Sequence, residues 1–163
     1  EKKLGPIFDD SMQDIDFAST YRGFSAFNKA IEMVSSAEDS VKIVTPFRPR
    51  EITNKAIEMI KDARSRGVDI KIITSKKLEK QFDDLPCVKT FKEDPSMKLH
   101  VRFRDLPQVF MLITDECEVL FSSFKGKGIS FIPQNILGIS TKDQELIKFC
   151  TLIFNYFFSI SEE

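Results

Sequence analysis

The sequence predicts an α/β fold, a mixed sheet flanked by helices, on three observations. Helical apolar periods alternate with short β-rich runs between residues 24 and 75, and a strand–helix–strand order favours parallel pairing because the crossover must span the sheet. Two β-rich runs at 109–113 and 117–122 are separated only by the polar stretch Asp115-Glu116-Cys117, which favours an antiparallel hairpin. A long apolar helix lies near the end of the chain.

Taken in order, residues 1–20 mix Gly5, Pro6, acids and isolated apolar residues, and read as an N-terminal arm or linker; residues 21–163 read as one domain. Phe27, Ala30, Ile31 and Val34 recur at helical spacing between Phe24 and Ala37. Val41, Ile43 and Thr45 alternate with Lys42 and Val44 as in a strand, and Pro46 and Pro49 interrupt the segment after it. Ile52, Ala56, Met59, Ile60 and Ala63 predict a second helix that stops near Ser65-Arg66-Gly67, where glycine can supply a terminating conformation.

A β-rich run occupies 68–75, and a short helix or irregular segment is expected over 77–84. Further strands are expected around 87–91, 98–104 and 135–140, with a flexible connection at 125–128. In the helix from about Lys142 to Ser159, Thr141 is the expected cap. Leu146, Phe149, Cys150, Ile153, Phe154 and Phe157 form its apolar stripe. Ile147, Leu152, Tyr156 and Phe158 widen that stripe almost around the helix, so it must be deeply packed or shared between subunits. Phe149, Ile153, Phe154, Phe157 and Phe158 are the interface candidates, and a homodimer is the expected assembly.

Composition narrows the function. Lys plus Arg number 24 against 25 Asp plus Glu, a net charge of −1 that gives no global support for binding a polyanion. Sixteen Phe against two Tyr and no Trp fit an apolar interior. Cys87, Cys117 and Cys150 are too dispersed for a metal cluster or a disulfide framework and read as reduced thiols. No signal-like segment and no apolar run of membrane-spanning length is present, so the expected location is the cytoplasm with no membrane partner. The chain opens on Glu1 rather than methionine, as a processed chain or a piece of a longer protein would.

Candidate chemistry is sparse. His100 is the sole histidine, and its alternation with Arg102 and Arg104 puts it on one strand face with no evident nucleophile or orienting group. Ser122-Ser123 lacks the Gly-x-Ser-x-Gly elbow, and "KGKG" at 125–128 lacks the phosphate-loop pattern. No catalytic residue, metal or cofactor is expected. The carboxyl ends of adjacent parallel strands are where an α/β sheet binds ligands. Arg48, Arg50, Ser75 and Lys77 fall there, and with Asp115, Ser122 and Ser123 of the hairpin they are the ligand-binding candidates.

The segments "FNKAIEMVSSAEDSVKIVTP", "ITNKAIEMIKDARSRGVDIKIIT", "VFMLITDECEVLFSS" and "LGISTKDQELIKFCTLIFNYFF", in that order, resemble a phospholipase D-like domain. More specifically, the pattern is similar to the C-terminal sensor domain of archaeal TrmB-like transcriptional regulators. Phospholipase D-like enzymes carry His-x-Lys-x4-Asp followed by Gly-Ser-x-Asn. With Asp115 in the aspartate position, Gln108 stands at the histidine and Phe110 at the lysine, and Ser122, Ser123 and Lys125 stand at glycine, serine and asparagine. Only Asp115 and Ser123 match. Anchoring on His100 puts Arg102 and Pro107 at the other two positions, and that register fails.

The resemblance implies a histidine nucleophile and general acid with a lysine stabilising phosphoryl charge, roles that neither Gln108 nor Phe110 can fill. It therefore implies a catalytically silent, effector-sensing and dimerising domain that binds a small metabolite and reaches DNA through a separate N-terminal winged-helix domain. The alternatives are a phosphodiesterase with an atypical site around His100, and a ligand-free protein-interaction module.

Overall fold

Met33 and Val34 on one helix, Ala37 just past its end and Ala63 on the next helix lie over Val41, Ile43, Ile70 and Ile72 of two neighbouring strands, and this apolar layer is the larger of two cores. The structure is a computed structural model that describes residues 17–46, 54–79, 99–124 and 136–161. Its elements are β1 (Ser19–Arg22), α1 (Phe24–Ser36), β2 (Ser40–Thr45), α2 (Asn54–Ser65), β3 (Asp69–Ser75), a 3-10 turn (Lys76–Leu78), β4 (Leu99–Arg104), β5 (Val109–Thr114), β6 (Glu118–Phe124), β7 (Ile136–Thr141) and α3 (Gln144–Ser159). The strands form one seven-stranded sheet in the order β1-β7-β6-β5-β2-β3-β4.

The sheet is mixed, as the alternation predicts. β2, β3 and β4 pair in parallel, while β2–β5, β5–β6, β6–β7 and β1–β7 are antiparallel. Side chains of a strand alternate between faces, so β2, β3, β5 and β6 each feed both cores. Leu112 and Leu120 join the layer under α1 and α2, whereas Ile73, Met111, Ile113 and Val119 point the other way and pack against Ile147, Cys150 and Phe154 of α3.

Local chemistry explains the helix ends. Gly67, at φ 89°, closes α2: its N–H donates to the Arg64 carbonyl at 2.9 Å and the Val68 N–H to the Ala63 carbonyl at 3.1 Å. That paired hydrogen bonding is how a left-handed glycine satisfies the last carbonyls of a helix. Arg66 then reaches across, pairing with Asp62 and donating to the carbonyls of Val34 and Ala37, which fastens the end of α2 to the end of α1.

Two expectations change. The cap of α3 is Asp143, whose Oδ1 accepts from the Leu146 N–H at 2.9 Å. Thr141 is instead the last residue of β7; its hydroxyl accepts from the Asp143 N–H at 3.1 Å and donates to the Phe17 carbonyl at 2.5 Å. The other change is β1, which begins inside the stretch read as an arm and adds an edge strand to β7. Its four residues alternate too briefly to signal a strand; the pairing with β7 makes it one. Residues 1–16 of the expected arm, the expected strand at 87–91 and the connection at 125–128 lie outside the described residues.

At Gly138 the sheet packs closely against α1. A Cβ there would lie 2.9 Å from the Ala26 Cβ, 3.2 Å from the Ser122 Oγ and 3.5 Å from the Leu120 Cδ1. Gly138→Ala is therefore expected to destabilise the chain by about 1–3 kcal/mol, the usual cost of overpacking. Urea unfolding should also show part of that loss recovered in the Ala26→Gly, Gly138→Ala double variant. A loss unchanged by the second substitution would place the strain elsewhere.

Candidate functional site

One end of the sheet gathers the carboxyl ends of β2, β3, β4 and β6 and the amino ends of β5 and β7. Ser75 closes β3 there, half-buried, and Lys77 is exposed on the 3-10 turn that follows. Ser123 lies at the same end, exposed, and pairs with Val109 and Leu137. With β5 and β2 between them, Ser75 and Ser123 stand three strand spacings apart, roughly 14 Å. Arg48 and Arg50 lie outside the described residues, as does Lys125.

Ser122 is at this end too but buried, facing α1 beside Gly138. It pairs in register with Phe110, and Val109 pairs with Ser123, so the hairpin brings the segment from Gln108 to Phe110 alongside Ser122-Ser123. Gln108 is exposed, while the Phe110 ring packs against the core under α1 and α2. Deeper on that same face, Thr45 and Thr74 are both buried, and the Thr74 hydroxyl donates to the Thr45 carbonyl at 3.0 Å. These groups are hydrogen-bonded sheet polarity beneath the rim.

Asp115 does not join them. It sits in the β5–β6 turn at the opposite end of the sheet, seven residues and roughly 20 Å from Gln108. Its Oδ1 accepts from the N–H groups of Asp39 and Ser40 and its Oδ2 from that of Glu38, at 2.8, 2.8 and 2.9 Å. Its own N–H donates to the Ser40 carbonyl at 2.9 Å. Burial pushes the carboxyl pKa up, but the Ser40, Glu38 and Asp39 N–H groups and the nearby Lys42 charge outweigh it, and the net shift is downward. Asp115 thus lies away from the other ligand candidates, and both its carboxylate oxygens are occupied in tying the hairpin turn to the α1–β2 connection.

His100 stands exposed on β4, its Nε2 4.0 Å from the Asp69 Oδ1, and Lys71 lies 3.4 Å from the same carboxylate. This is a surface charge cluster. Among the described residues no group of three or more His, Cys, Asp or Glu is placed to hold a metal. Of the thiols, Cys117 is exposed in the hairpin turn, and Cys150 is buried in the α3 core, where desolvation holds its pKa above the ordinary thiol value.

The interface candidates divide. Phe154 is fully buried in the chain's own core and stacks on Phe158 with ring centroids 5.8 Å apart, so it is unavailable to a partner. Phe157 and Phe158 are half-buried and each carries an arginine over its ring, Arg104 at 5.2 Å and Arg102 at 4.5 Å. Ile153 is half-buried and Phe149 exposed.

The two arginines do more than stack. Arg102 donates to the Phe158 carbonyl at 2.7 Å and Arg104 to the Ile160 carbonyl at 3.5 Å, placing cations on the negative end of α3. The alternation of His100, Arg102 and Arg104 put them on one face in the sequence; that the face meets the end of α3 is a long-range fact without a local signal. Ser75 pairs in register with Arg104, so the strand-end rim and this clamp are neighbours.

The sheet order, its two covered faces and the meeting of the two motif halves at one sheet end define a phospholipase D-like fold. Nuc, a phospholipase D family member from Salmonella typhimurium, is similar at TM-score 0.65 and 14% identity, over 89% of this chain and 97% of that one. NucT from Helicobacter pylori is similar at TM-score 0.67 and 18% identity with the same coverages. The archaeal chromatin protein TrmBL2, whose structure is described as showing a novel mode of DNA binding, is similar at TM-score 0.69 and 24% identity, over 92% of this chain. This chain spans 55% of the length of TrmBL2. No curated protein matches it.

Residues 17–163 match the family described as "Transcriptional regulator TrmB, EBD N-terminal subdomain", and the chain belongs to that family of effector-binding subdomains. The family's regulatory nature fits a non-catalytic role. No helix among the described residues is long and apolar enough to cross a membrane.

Proposed function

We propose that this chain is the effector-sensing part of a cytoplasmic, dimeric transcriptional regulator, catalytically silent, whose DNA contact is made by a winged-helix unit N-terminal to it in a longer protein. The observation that carries the reading is the pairing of Phe110 with Ser122 at the strand-end rim. The motif halves of a phospholipase D-like site still meet, but the residues in the nucleophile and cation positions are an amide and a core phenyl ring. Neither can attack phosphorus or neutralise its charge. Membership of an effector-binding family supports binding without turnover, and the DNA-binding description of the longer TrmBL2 supports a reader outside this chain.

In this reading a small metabolite engages the rim carrying Ser75, Lys77 and Ser123, together with Arg48 and Arg50. Occupancy passes from Ser75 to its neighbour Arg104 and so to the end of α3. Regulation then requires that the effector bind one arrangement of that clamp more tightly than another.

Thermal unfolding of the chain against a panel of metabolites tests the sensing step. A true effector at 100 times its Kd adds about 2.7 kcal/mol, a rise of roughly 5–10 °C for a chain of this size. Ser75→Ala with Lys77→Ala should abolish that rise. A panel without a single saturable shift, or a shift indifferent to the double substitution, defeats the assignment.

A further inference from the structure

α3 covers its face of the sheet along one diagonal. It starts just past the foot of β7 and ends with Phe157 against Arg104, the last residue of β4. The corner left open lies at the rim, over β5, β6, β7 and β1. Strand register puts Val109, Ser123, Leu137 and Arg22 in one row across these four strands, and Met111, Phe121, Ile139 and Thr20 in the next. Directly paired residues share a face, and Met111 and Phe121 pack with α3, so both rows lie on its side.

The floor of this corner is apolar yet wet. Val109 is 38%, Leu137 40% and Ile139 42% exposed, and Phe121 beside them is half-buried. The flank of α3 forms the wall: Ile153 and Phe149 precede Phe157 by one turn and two, on the side of the helix that meets Arg104 at the rim. Arg22 stands at the outer end of the floor. Its N–H donates to the Ser25 Oγ at 3.0 Å, its carbonyl accepts from the same hydroxyl at 2.7 Å, and the Gly23 N–H donates to the Ile136 carbonyl at 3.0 Å. The backbone is thus fixed while the side chain is exposed, and among the described residues no carboxylate pairs with it.

We propose that this corner binds a small apolar carboxylate, an acyl chain or aromatic acid whose body lies on Val109, Leu137 and Ile139 and whose carboxylate pairs with Arg22. The proposal goes beyond the sensing reading, because Ser75 and Lys77 belong to the β3 side of the rim and only Ser123 is common to both. Charge and size select this occupant. A guanidinium presents a planar fork that takes one carboxylate through two parallel hydrogen bonds. Two rows across four strands measure roughly 14 by 7 Å, on the order of 100 Å², whereas a protein partner needs about 800 Å² per side. A concave apolar surface of that extent with one placed charge suits a small molecule.

Methyl NMR of the chain titrated with decanoate, below the concentration at which decanoate forms micelles, tests this. Saturable shifts are expected at the methyl groups of Val109, Leu137 and Ile139. Decanol, the same body without the charge, should bind roughly tenfold to a hundredfold more weakly, the range that a charged hydrogen bond supplies. Acetate, the head without the body, should not bind. Arg22→Gln should bring decanoate down to the affinity of decanol and leave decanol unchanged. Ile139→Asn should weaken both, with a melting temperature close to the parent's because the side chain is exposed. Ser75→Ala with Lys77→Ala should leave decanoate binding as it is.

Absence of saturable decanoate binding overturns the proposal, and so does equal affinity for decanol or parent-like binding in Arg22→Gln. Corner methyl groups that shift with chain concentration alone also overturn it, since a second copy would then be the occupant. The two readings fail separately: decanoate binding that survives the Ser75 and Lys77 substitutions supports the corner whatever the effector panel shows.

Discussion

Phe154→Ala is expected to lower the unfolding free energy by about 3–5 kcal/mol, the cost of emptying a buried phenyl site. For a chain of this length that is a fall in melting temperature of roughly 10–15 °C. The side chain has no exposed surface, fills the space between Ile73, Met111, Ile113 and Val119 of three strands, and stacks on Phe158. Removing it undermines the ring on which Arg102 rests, so the clamp on the end of α3 should loosen as well. Amide hydrogen exchange in the last turn of α3 should rise more than in its first turn. Leu152→Ala, on the outer side of the same helix, should change monomer stability by no more than about 0.5 kcal/mol. Equal losses from the two substitutions would contradict the described packing of α3.

That contrast shows what the sequence of α3 can and cannot tell. Periodicity establishes the helix, and the excess of apolar residues signals two buried sides, but the wheel has no origin. Phe149 and Phe154 look alike as letters, and only docking on β5 and β6 decides that one faces the core and the other water. The same limit applies at the strand-end rim. Alternation within β5 and β6 is legible, and the hairpin fixes the Phe110–Ser122 pairing, so the loss of the histidine and lysine positions can be read directly. The distance between Ser75 and Ser123 depends on β2 and β5 lying between them, a topological fact with no local sign.

β1 was illegible for a related reason. A four-residue edge strand has too few positions to show a period, and its hydrogen bonds come from β7, more than a hundred residues away. By contrast the order β2, α2, β3 was legible in detail because every signal is local: alternating β-branched residues, an apolar helical period and a glycine at the stop.

The clamp gives the sensing proposal a physical path. Arg102 and Arg104 belong to a sheet strand, yet their guanidinium groups hold the carbonyls and phenyl rings at the end of α3, so a ligand that shifts the β3–β4 ends would alter what holds that helix.

Asp115→Ala is expected to cost about 3 kcal/mol at neutral pH, for two reasons that can be separated. The carboxylate holds three backbone N–H groups, and charged hydrogen bonds contribute about 1.5–3 kcal/mol each when buried. The Glu38 and Asp39 donors are exposed and regain water when the acceptor goes, so the three together amount to about 2 kcal/mol. The backbone supplies the rest: Asp115 and Glu116 sit at φ 50° and 51°, a region that aspartate and asparagine tolerate and alanine enters at about 1 kcal/mol. Asp115→Asn keeps the tolerated backbone and one acceptor oxygen, and should lose about half as much.

The two variants should also differ from the parent in pH dependence. The folded-state pKa of Asp115 lies below its unfolded value of about 3.9. Its carboxylate therefore contributes fully above the unfolded pKa, and the contribution is lost as pH falls through the folded one. Parent and Asp115→Asn should differ most above about pH 4, and the difference should shrink as pH falls through the folded-state pKa, in denaturant unfolding. A difference that persists undiminished at pH 2.5 would mean the charge is not what fastens the turn. A shrinking difference would explain why the aspartate position is kept while Gln108 and Phe110 occupy the histidine and lysine positions: its work is holding the hairpin to the α1–β2 connection, and that work does not depend on whether the far end of the strand performs chemistry.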